Sequence, residues 1–222
     1  MPRSEQFQGE RSYPGQRLIV FLIDVERGFR GRQLIVSRGN NQFIKWLFQA
    51  EVPEMESGAV EIKGIAREAG VRSKIAVASN VPGVDPVGTF VGGHGTRVNA
   101  VMSEIGEQEK IDIVVWNENT VEYIMNALSP TKVSKVILDE EHKKARVIVP
   151  EDQLSIAIGK SGQNVRLASK LAGYDIDIEA ERAAEPVSEG IIETTELPKI
   201  PKLKRKSDLE NSLLEAIEEH GE

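Results

Sequence analysis

The chain has 222 residues, of which 40% are hydrophobic, and it contains three histidines and no cysteine. This length and apolar content suffice for one domain or for several small ones. The lack of cysteine excludes disulfides, thiolate zinc sites and cysteine nucleophiles. No apolar run is long enough to cross a bilayer, and the first residues lack the apolar core of a signal peptide, so we expect a cytoplasmic protein without a membrane partner.

The charge balance is acidic, because 28 basic and 35 acidic side chains leave a formal net charge of −7 at pH 7. Of the segments 1–40, 41–180 and 181–222, the first alone is basic overall, with seven basic and four acidic groups. Proteins that bind nucleic acids usually carry excess positive charge. A nucleic-acid binder of this composition must therefore rely on a few placed cations, backbone N–H groups and base contacts.

The first predicted elements are two strands at 17–25 and 33–37, which are rich in aliphatic and β-branched residues. The turn between them is predicted from Glu26 to Arg32. Two strands alone do not make a domain. Residues 42–48 then change to helical spacing, with the helix ending near Pro53.

A small α/β unit follows, in which alternating segments at 60–66 and 74–79 predict a hairpin. Asp85 caps a short helix that is interrupted by the quartet Gly92 to Gly95. Helical spacing resumes after the quartet, and residues 111–116 close the unit as a strand.

The same order then repeats, with a helix at 120–128, strands at 132–138 and 145–149, and a short helix that we expect Asp152 to open. The quartet Gly159 to Gly162 interrupts that helix, and a strand at 174–178 ends the copy. When the quartets are superposed, we align Arg97 with Gln163 and Val98 with Asn164 after a slip of one place. A period of about 67 residues suits two copies of a small α/β domain better than a solenoid repeat.

Each quartet is a turn with glycine at both ends and a helix behind it, an arrangement that collects backbone N–H groups and attracts phosphate. Glycine permits close approach of a nucleic-acid backbone and positive φ angles. The second turn is predicted to be the better clamp, since a lysine and a serine occupy its middle, whereas the first has glycine and histidine there. The candidate binding residues are Gly92, Gly93, His94, Gly95, Thr96, Arg97, Gly159, Lys160, Ser161, Gly162, Gln163, Asn164 and Arg166.

The segment I-G-K-S-G-Q-N-V-R-L-A, with a partner quartet upstream, resembles the tandem KH domains of the bacterial transcription elongation and termination factor NusA. Residues 14–38 look like the last two strands of that family's S1 domain, an OB-type barrel. Residues 51–66 look like the start of its first KH domain, and DPVG at 85–88 and NALSP at 126–130 also match. The family's polymerase-binding domain and the first three S1 strands do not precede Tyr13, so we expect a fragment, a truncated product or a degenerate member.

The resemblance implies an α+β fold in which two tandem type II KH domains, each with a three-stranded sheet, follow a remnant of an S1/OB β-barrel. The predicted domains are the partial S1 remnant at 1–40, the first KH domain at 41–117, the second at 118–180, and a flexible tail at 181–222. A capping box at Ser207 and Glu210 predicts a short C-terminal helix in that tail, either a docking element or a frayed end.

The resemblance also implies binding of single-stranded RNA, about four unpaired nucleotides per module, in a groove between the glycine turn and an edge strand. We assign strands 74–79 and 145–149 to that role and expect micromolar affinity for a short RNA. The implied function lies in transcription elongation, termination and antitermination, with the nascent transcript, RNA polymerase and other transcription factors as partners. We expect a monomer without a cofactor. Candidate floor residues, which at these spacings are more often core, are Val87, Val91, Val98, Ile156, Ile158 and Val165.

Other functions are weighed against this one. A nucleotide-binding P-loop needs a glycine five places before Gly159, where Leu154 stands, and no histidine pair has metal spacing, so we predict no enzyme activity. A KH protein of ribosome assembly or translation would share the RNA contacts. A protein-interaction scaffold without RNA binding would fit the negative charge, and ordinary helix-turn-helix connections are the structural alternative for both quartets.

Overall fold

The computed structural model describes residues 1–7, 9–10, 13–29, 31–106 and 108–181. Three β-sheets lie in this part of the chain, one of two strands and two of three strands. The predicted C-terminal helix, and the predicted tail beyond Glu181, lie outside the described residues.

The N-terminal sheet is an antiparallel hairpin of strands β1 (Phe21–Gly28) and β2 (Gly31–Ser37). Both strands extend into the segment predicted as a turn, because Arg27 pairs with Arg32 and Gly28 with Gly31. Large apolar side chains of the hairpin stay exposed, among them Leu34 at 60%. The two strands form an open hairpin and not a closed barrel.

Helix α1 (Asn41–Glu51) begins the first three-stranded unit and is followed by the single turn α2 (Pro53–Glu56). The Asn40 side chain caps α1 by accepting from the backbone N–H of Gln42 at 2.7 Å. The buried face of α1 has the predicted helical spacing. Its residues are Phe43, Ile44, Leu47 and Phe48.

The first unit is built on a mixed sheet in which strand β4 lies between β3 and β5. β3 is antiparallel to β4, and β5 is parallel to it, because two helices cross over between β4 and β5. The bounds are β3 Val60–Glu68, β4 Arg72–Ser79, α3 Pro86–Val91, α4 Thr96–Ile105 and β5 Lys110–Val115. The helices pack on one face of this sheet around Phe48 and Phe90, whose ring centroids are 5.5 Å apart.

The second unit repeats this topology, with β7 between antiparallel β6 and parallel β8. The elements are α5 Thr120–Ala127, β6 Lys135–Asp139, β7 Lys144–Val149, α6 Leu154–Ile158, α7 Gln163–Ala172 and β8 Asp175–Ala180. The two copies confirm the predicted α+β class and the predicted repeat of one small domain.

Three predicted details are wrong. α4 and α7 begin at Thr96 and Gln163, each directly after its second glycine, so the repeats align without a slip. Asp152 lies in a 3-10 turn, and α6 begins after Gln153 without a side-chain cap. β4 and β7, which we assigned as edge strands, are central, because the helical crossover returns the last strand of each unit to their far side.

The two units pack against each other through the sheet of the first and helices α5 and α7 of the second. Ala76, Val114 and Tyr123 form a small apolar core at this interface, and Leu171 packs against them. The Tyr123 hydroxyl donates to the Leu171 carbonyl oxygen at 3.2 Å. Lys74, fully buried on β4, donates from Nζ to the Ser129 carbonyl oxygen at 2.9 Å, which ties the first sheet to the end of α5.

Candidate nucleic-acid interface

The two glycine turns have nearly the same backbone conformation. The first glycines have φ and ψ of 74° and 167° at Gly92 and of 73° and 173° at Gly159. The third residues are left-handed, with φ of 53° at both His94 and Ser161. Two local sequences that share two glycines thus fold into one turn shape, with α3 or α6 before it and α4 or α7 behind it.

The first position of each turn requires glycine for two reasons, its backbone conformation and the lack of room for a Cβ. A positive φ combined with ψ near 170° is a region open essentially to glycine alone. A Cβ at Gly92 would lie 2.8 Å from Cγ of Arg97, and a Cβ at Gly159 would lie 2.8 Å from Cβ of Asn164. Substitution at either position must therefore move the start of the following helix.

The second glycine of each turn is left-handed, with φ of 78° at Gly95 and 71° at Gly162. The backbone N–H of each donates to the carbonyl oxygen of the first glycine, at 3.0 Å in the first turn and 3.2 Å in the second. A Cβ at Gly162 would meet no atom within 4 Å. The second turn is therefore open at this position, where a nucleic-acid backbone would find no side chain in its way.

The middle residues of both turns face solvent. Gly93 and His94 in the first turn and Lys160 and Ser161 in the second are all exposed. The second turn presents the ammonium of Lys160 and a hydroxyl, whereas the first presents an imidazole and no aliphatic cation. Cations and hydroxyls are the usual donors to phosphate oxygens, and the order of the two clamps stays a prediction.

Arg97 is held by the first unit. Its Nη1 donates to the Thr89 carbonyl oxygen at 2.7 Å, and it forms an ion pair with Glu54 of α2 at 3.0 Å. The hydrogen bond from Arg97 lowers the pKa of Glu54 below its ordinary value. The arginine side chain is 28% exposed. Part of its charge is thus already neutralised, which weakens it as a phosphate contact.

Asn164 does not face solvent, and the structure corrects its assignment as an RNA contact. The residue is 2% exposed, and its Nδ2 donates to the carbonyl oxygens of Leu128, Ile156 and Ala157 at 3.1 to 3.2 Å. These bonds join α7 to the end of α6 and to the end of α5. The side chain therefore holds the second turn in place.

Arg166 contacts the other unit. Its Nε and Nη2 donate to the two carboxylate oxygens of Glu68, at the end of β3, with distances of 2.6 and 3.0 Å. The arginine and glutamate side chains are 47% and 22% exposed. The predicted RNA contact is thus engaged in a bidentate pair between the two units.

The remaining candidates lie on the rims of the turns. Thr96 and Gln163 are the first residues of their helices, exposed and half-buried respectively. Ile156 and Ile158, just before the second turn, are 45% and 39% exposed. Their exposure favours the floor assignment over a core role. The three valines of the first module and Val165 are half-buried.

Sequence reasoning missed the acidic partners of the two arginines. Glu54 and Glu68 lie 43 and 98 positions before the side chains they hold. No local motif marks either carboxylate, so their role emerges only from the tertiary structure, which brings Glu54 to Arg97 and the two units together.

Within the described ranges, no group of three or more histidine, cysteine or acidic side chains could hold a metal ion. None of the helices in that part of the chain is both long and apolar enough to traverse a bilayer.

Two family models match the chain. The NusA-like first KH domain matches residues 38–116, and the NusA-like second KH domain matches residues 120–186. These matches cover both glycine turns and all the strands of both three-stranded sheets.

Curated relatives described as transcription termination/antitermination protein NusA align with most of this chain. The protein from Thermus thermophilus is 52% identical over 81% of the chain, and that from Bacillus subtilis 51% over 83%. The Halalkalibacterium halodurans protein is 49% identical over 87%. The chain spans about half the length of these relatives, from 46% to 50%. The crystal structure of APE1850 covers 60% of the chain at 23% identity and a TM-score of 0.43, too weak a likeness to carry an argument.

Proposed function

The chain belongs to the NusA family of transcription termination/antitermination proteins, and from this membership we propose that it binds single-stranded RNA through its two glycine turns. The RNA is the nascent transcript, and the role is in transcription elongation, termination and antitermination. RNA polymerase and other transcription factors are the protein partners that we infer from the family.

One observation carries the proposal: two turns of the same conformation each point their middle residues into solvent at the start of a helix. The amino end of such a helix carries partial positive charge, and the glycines let a sugar-phosphate backbone approach closely. The turns need few cations to bind a strand in this way. The negative net charge of the chain is therefore compatible with weak, salt-dependent binding.

The second turn supplies the stronger contacts in this proposal. Lys160 offers an ammonium and Ser161 a hydroxyl donor, and the exposed Ile156 and Ile158, just before the turn in the chain, offer apolar surface for bases. Bases splayed out of a single strand stack or pack on such surfaces, and their edges then become readable.

Fluorescence anisotropy with a labelled, unstructured RNA of about ten nucleotides, sized from about four per module, tests the proposal. The wild-type chain is compared with a variant carrying Asp at positions 93, 94, 160 and 161. Asp tolerates left-handed backbone, so the variant keeps the turn conformation at His94 and Ser161. We expect salt-sensitive binding by the wild type and its loss in the variant.

A control variant carries the same change of charge away from the turns, with Asp at four exposed positions. These positions are Gln42, Gln49, Gln108 and Lys135. Binding that survives in the control and fails in the turn variant supports the proposal. Absence of binding by the wild type, or equal losses in both variants, would overturn it and favour a protein-interaction scaffold.

A further inference from the structure

The bidentate pair between Glu68 and Arg166 directly links the sheet of the first KH module to the helix behind the glycine turn of the second. Glu68 is the last residue of β3, and Arg166 is the fourth residue of α7. Both carboxylate oxygens accept from the guanidinium, at 2.6 and 3.0 Å. A carboxylate in this fork geometry takes the same two donors that a phosphate would take.

Arg166 also reaches the turn itself. Its third nitrogen, Nη1, lies 3.4 Å from the carbonyl oxygen of Ser161, in the middle of the second turn. One side chain thus spans the distance from the first module to the proposed RNA-binding turn of the second. Movement of α7 relative to β3 would break the pair with Glu68 and would shift the turn.

Each member of the pair favours the ionised form of the other. The hydrogen bond from Arg166 lowers the pKa of Glu68, and Glu68 raises the pKa of Arg166. Lys170, one helical turn further along α7, adds to the lowering of the Glu68 pKa. Both groups are therefore ionised under the conditions in which RNA would bind.

We propose that Arg166 is a positioning residue: its pair with Glu68 fixes the second turn relative to the first module, so that one RNA strand can engage both turns. The inference rests on the proposed RNA binding and changes the role assigned to this arginine. A strand that spans two fixed sites gains through effective concentration, whereas a strand that reaches one site gains nothing. The benefit of the pair is thus confined to long RNA.

The test compares a tetranucleotide with a decanucleotide, both unlabelled, titrated into isotope-labelled protein and followed by chemical shifts. Glu68→Gln and Arg166→Gln each remove one charge of the pair. We expect both variants to bind the tetranucleotide within about twofold of the wild type and to bind the decanucleotide about fivefold more weakly. The double variant should bind the decanucleotide no more weakly than either single variant, because all three variants lose the same interaction.

The opposite pattern identifies Arg166 as an RNA contact. In that case Arg166→Gln weakens binding of the tetranucleotide as well. Glu68→Gln strengthens that binding, because it releases the guanidinium to contact phosphate. A reversed pair provides a second readout: adding Glu68→Arg to the Arg166→Glu variant should raise its affinity for the decanucleotide. No rise would overturn the positioning role.

A matched control is the ion pair of Glu61 and Lys63, 2.8 Å apart on the same strand and within the first module. Glu61→Gln should leave the affinities for both RNAs unchanged. If the wild type binds neither RNA, the proposed function and this inference both fail. If the wild type binds the decanucleotide and neither Glu68→Gln nor Arg166→Gln changes that affinity, the inference alone fails.

Discussion

Arg97 and Asn164 are equivalent residues of the two modules, and both donate to the same carbonyl position. Each is the second residue of the helix behind its turn. Arg97 bonds to the carbonyl oxygen of Thr89 and Asn164 to that of Ile156, in each case the third residue before the first glycine. A long and a short side chain thus perform one task, which is to tie together the helices on either side of the turn.

Replacement of Asn164 by Ala should destabilise the second module. The change removes the donor that Asn164 supplies to the carbonyl oxygens of Leu128, Ile156 and Ala157, of which the Leu128 oxygen keeps the Thr131 N–H at 3.1 Å. A buried carbonyl oxygen left without a donor costs about 1–3 kcal/mol when no water replaces it. We expect the free energy of unfolding, measured by urea titration, to fall by at least about 2 kcal/mol.

Gln163→Ala is the matched control, because Gln163 precedes Asn164 on the same helix and is half-buried. Its effect on unfolding should stay within about 0.5 kcal/mol. An Asn164→Ala variant that unfolds like the wild type but loses RNA affinity would restore the original assignment of this residue as a contact.

The two glycines of the second turn should differ in their tolerance of Ala. At Gly159 the added methyl group meets Asn164 at 2.8 Å and the backbone is open essentially to glycine alone, whereas at Gly162 nothing lies within 4 Å. We expect Gly162→Ala to cost about 1 kcal/mol for the left-handed backbone and Gly159→Ala to cost more, about 3 kcal/mol. Thermal unfolding of both variants measures the difference, and equal costs would contradict the role assigned to Gly159.

Much of the fold follows from local sequence. The apolar spacing at Phe43, Ile44 and Leu47 predicts the buried face of α1, and paired glycines predict both turns. These features are set by residues that are close in the chain.

Long-range features did not follow from the sequence. The central place of β4 depends on the crossover that brings β5 beside it, and the pair of Glu68 with Arg166 depends on how two modules pack. The assignment of Asn164 as an RNA contact was wrong for another reason. An amide next to a glycine turn indicates a surface contact, yet this amide donates to buried carbonyl groups.

The two turns should contribute unequally to RNA affinity. Asp at Lys160 and Ser161 removes a cation and adds two negative charges, whereas Asp at Gly93 and His94 only adds charge to a turn without a lysine. We expect the first change to weaken decanucleotide binding by about tenfold and the second by about threefold. Each lost phosphate contact should also make the affinity depend less steeply on salt concentration. Anisotropy titrations at two salt concentrations measure both effects, and equal losses would contradict the order of the clamps.

The interface between the modules should weaken at high pH because of Tyr123. Its phenol is 8% exposed, and burial raises its pKa from 10.0 to about 12. A group whose folded pKa is raised contributes stability that is fully present below its unfolded pKa and is lost as pH rises toward the folded value. The stability of the chain should therefore fall between pH 10 and 12, by on the order of 2 kcal/mol.

Urea unfolding at several pH values in this range measures the loss. Tyr123→Phe is the informative variant, because it keeps the ring in the apolar core and removes only the hydroxyl that donates to the Leu171 carbonyl oxygen. The variant should be about 1 kcal/mol less stable at neutral pH and should lose less stability than the wild type as pH rises. An identical alkaline decline in both proteins would show that Tyr123 ionises freely and that the interface does not shield its phenol.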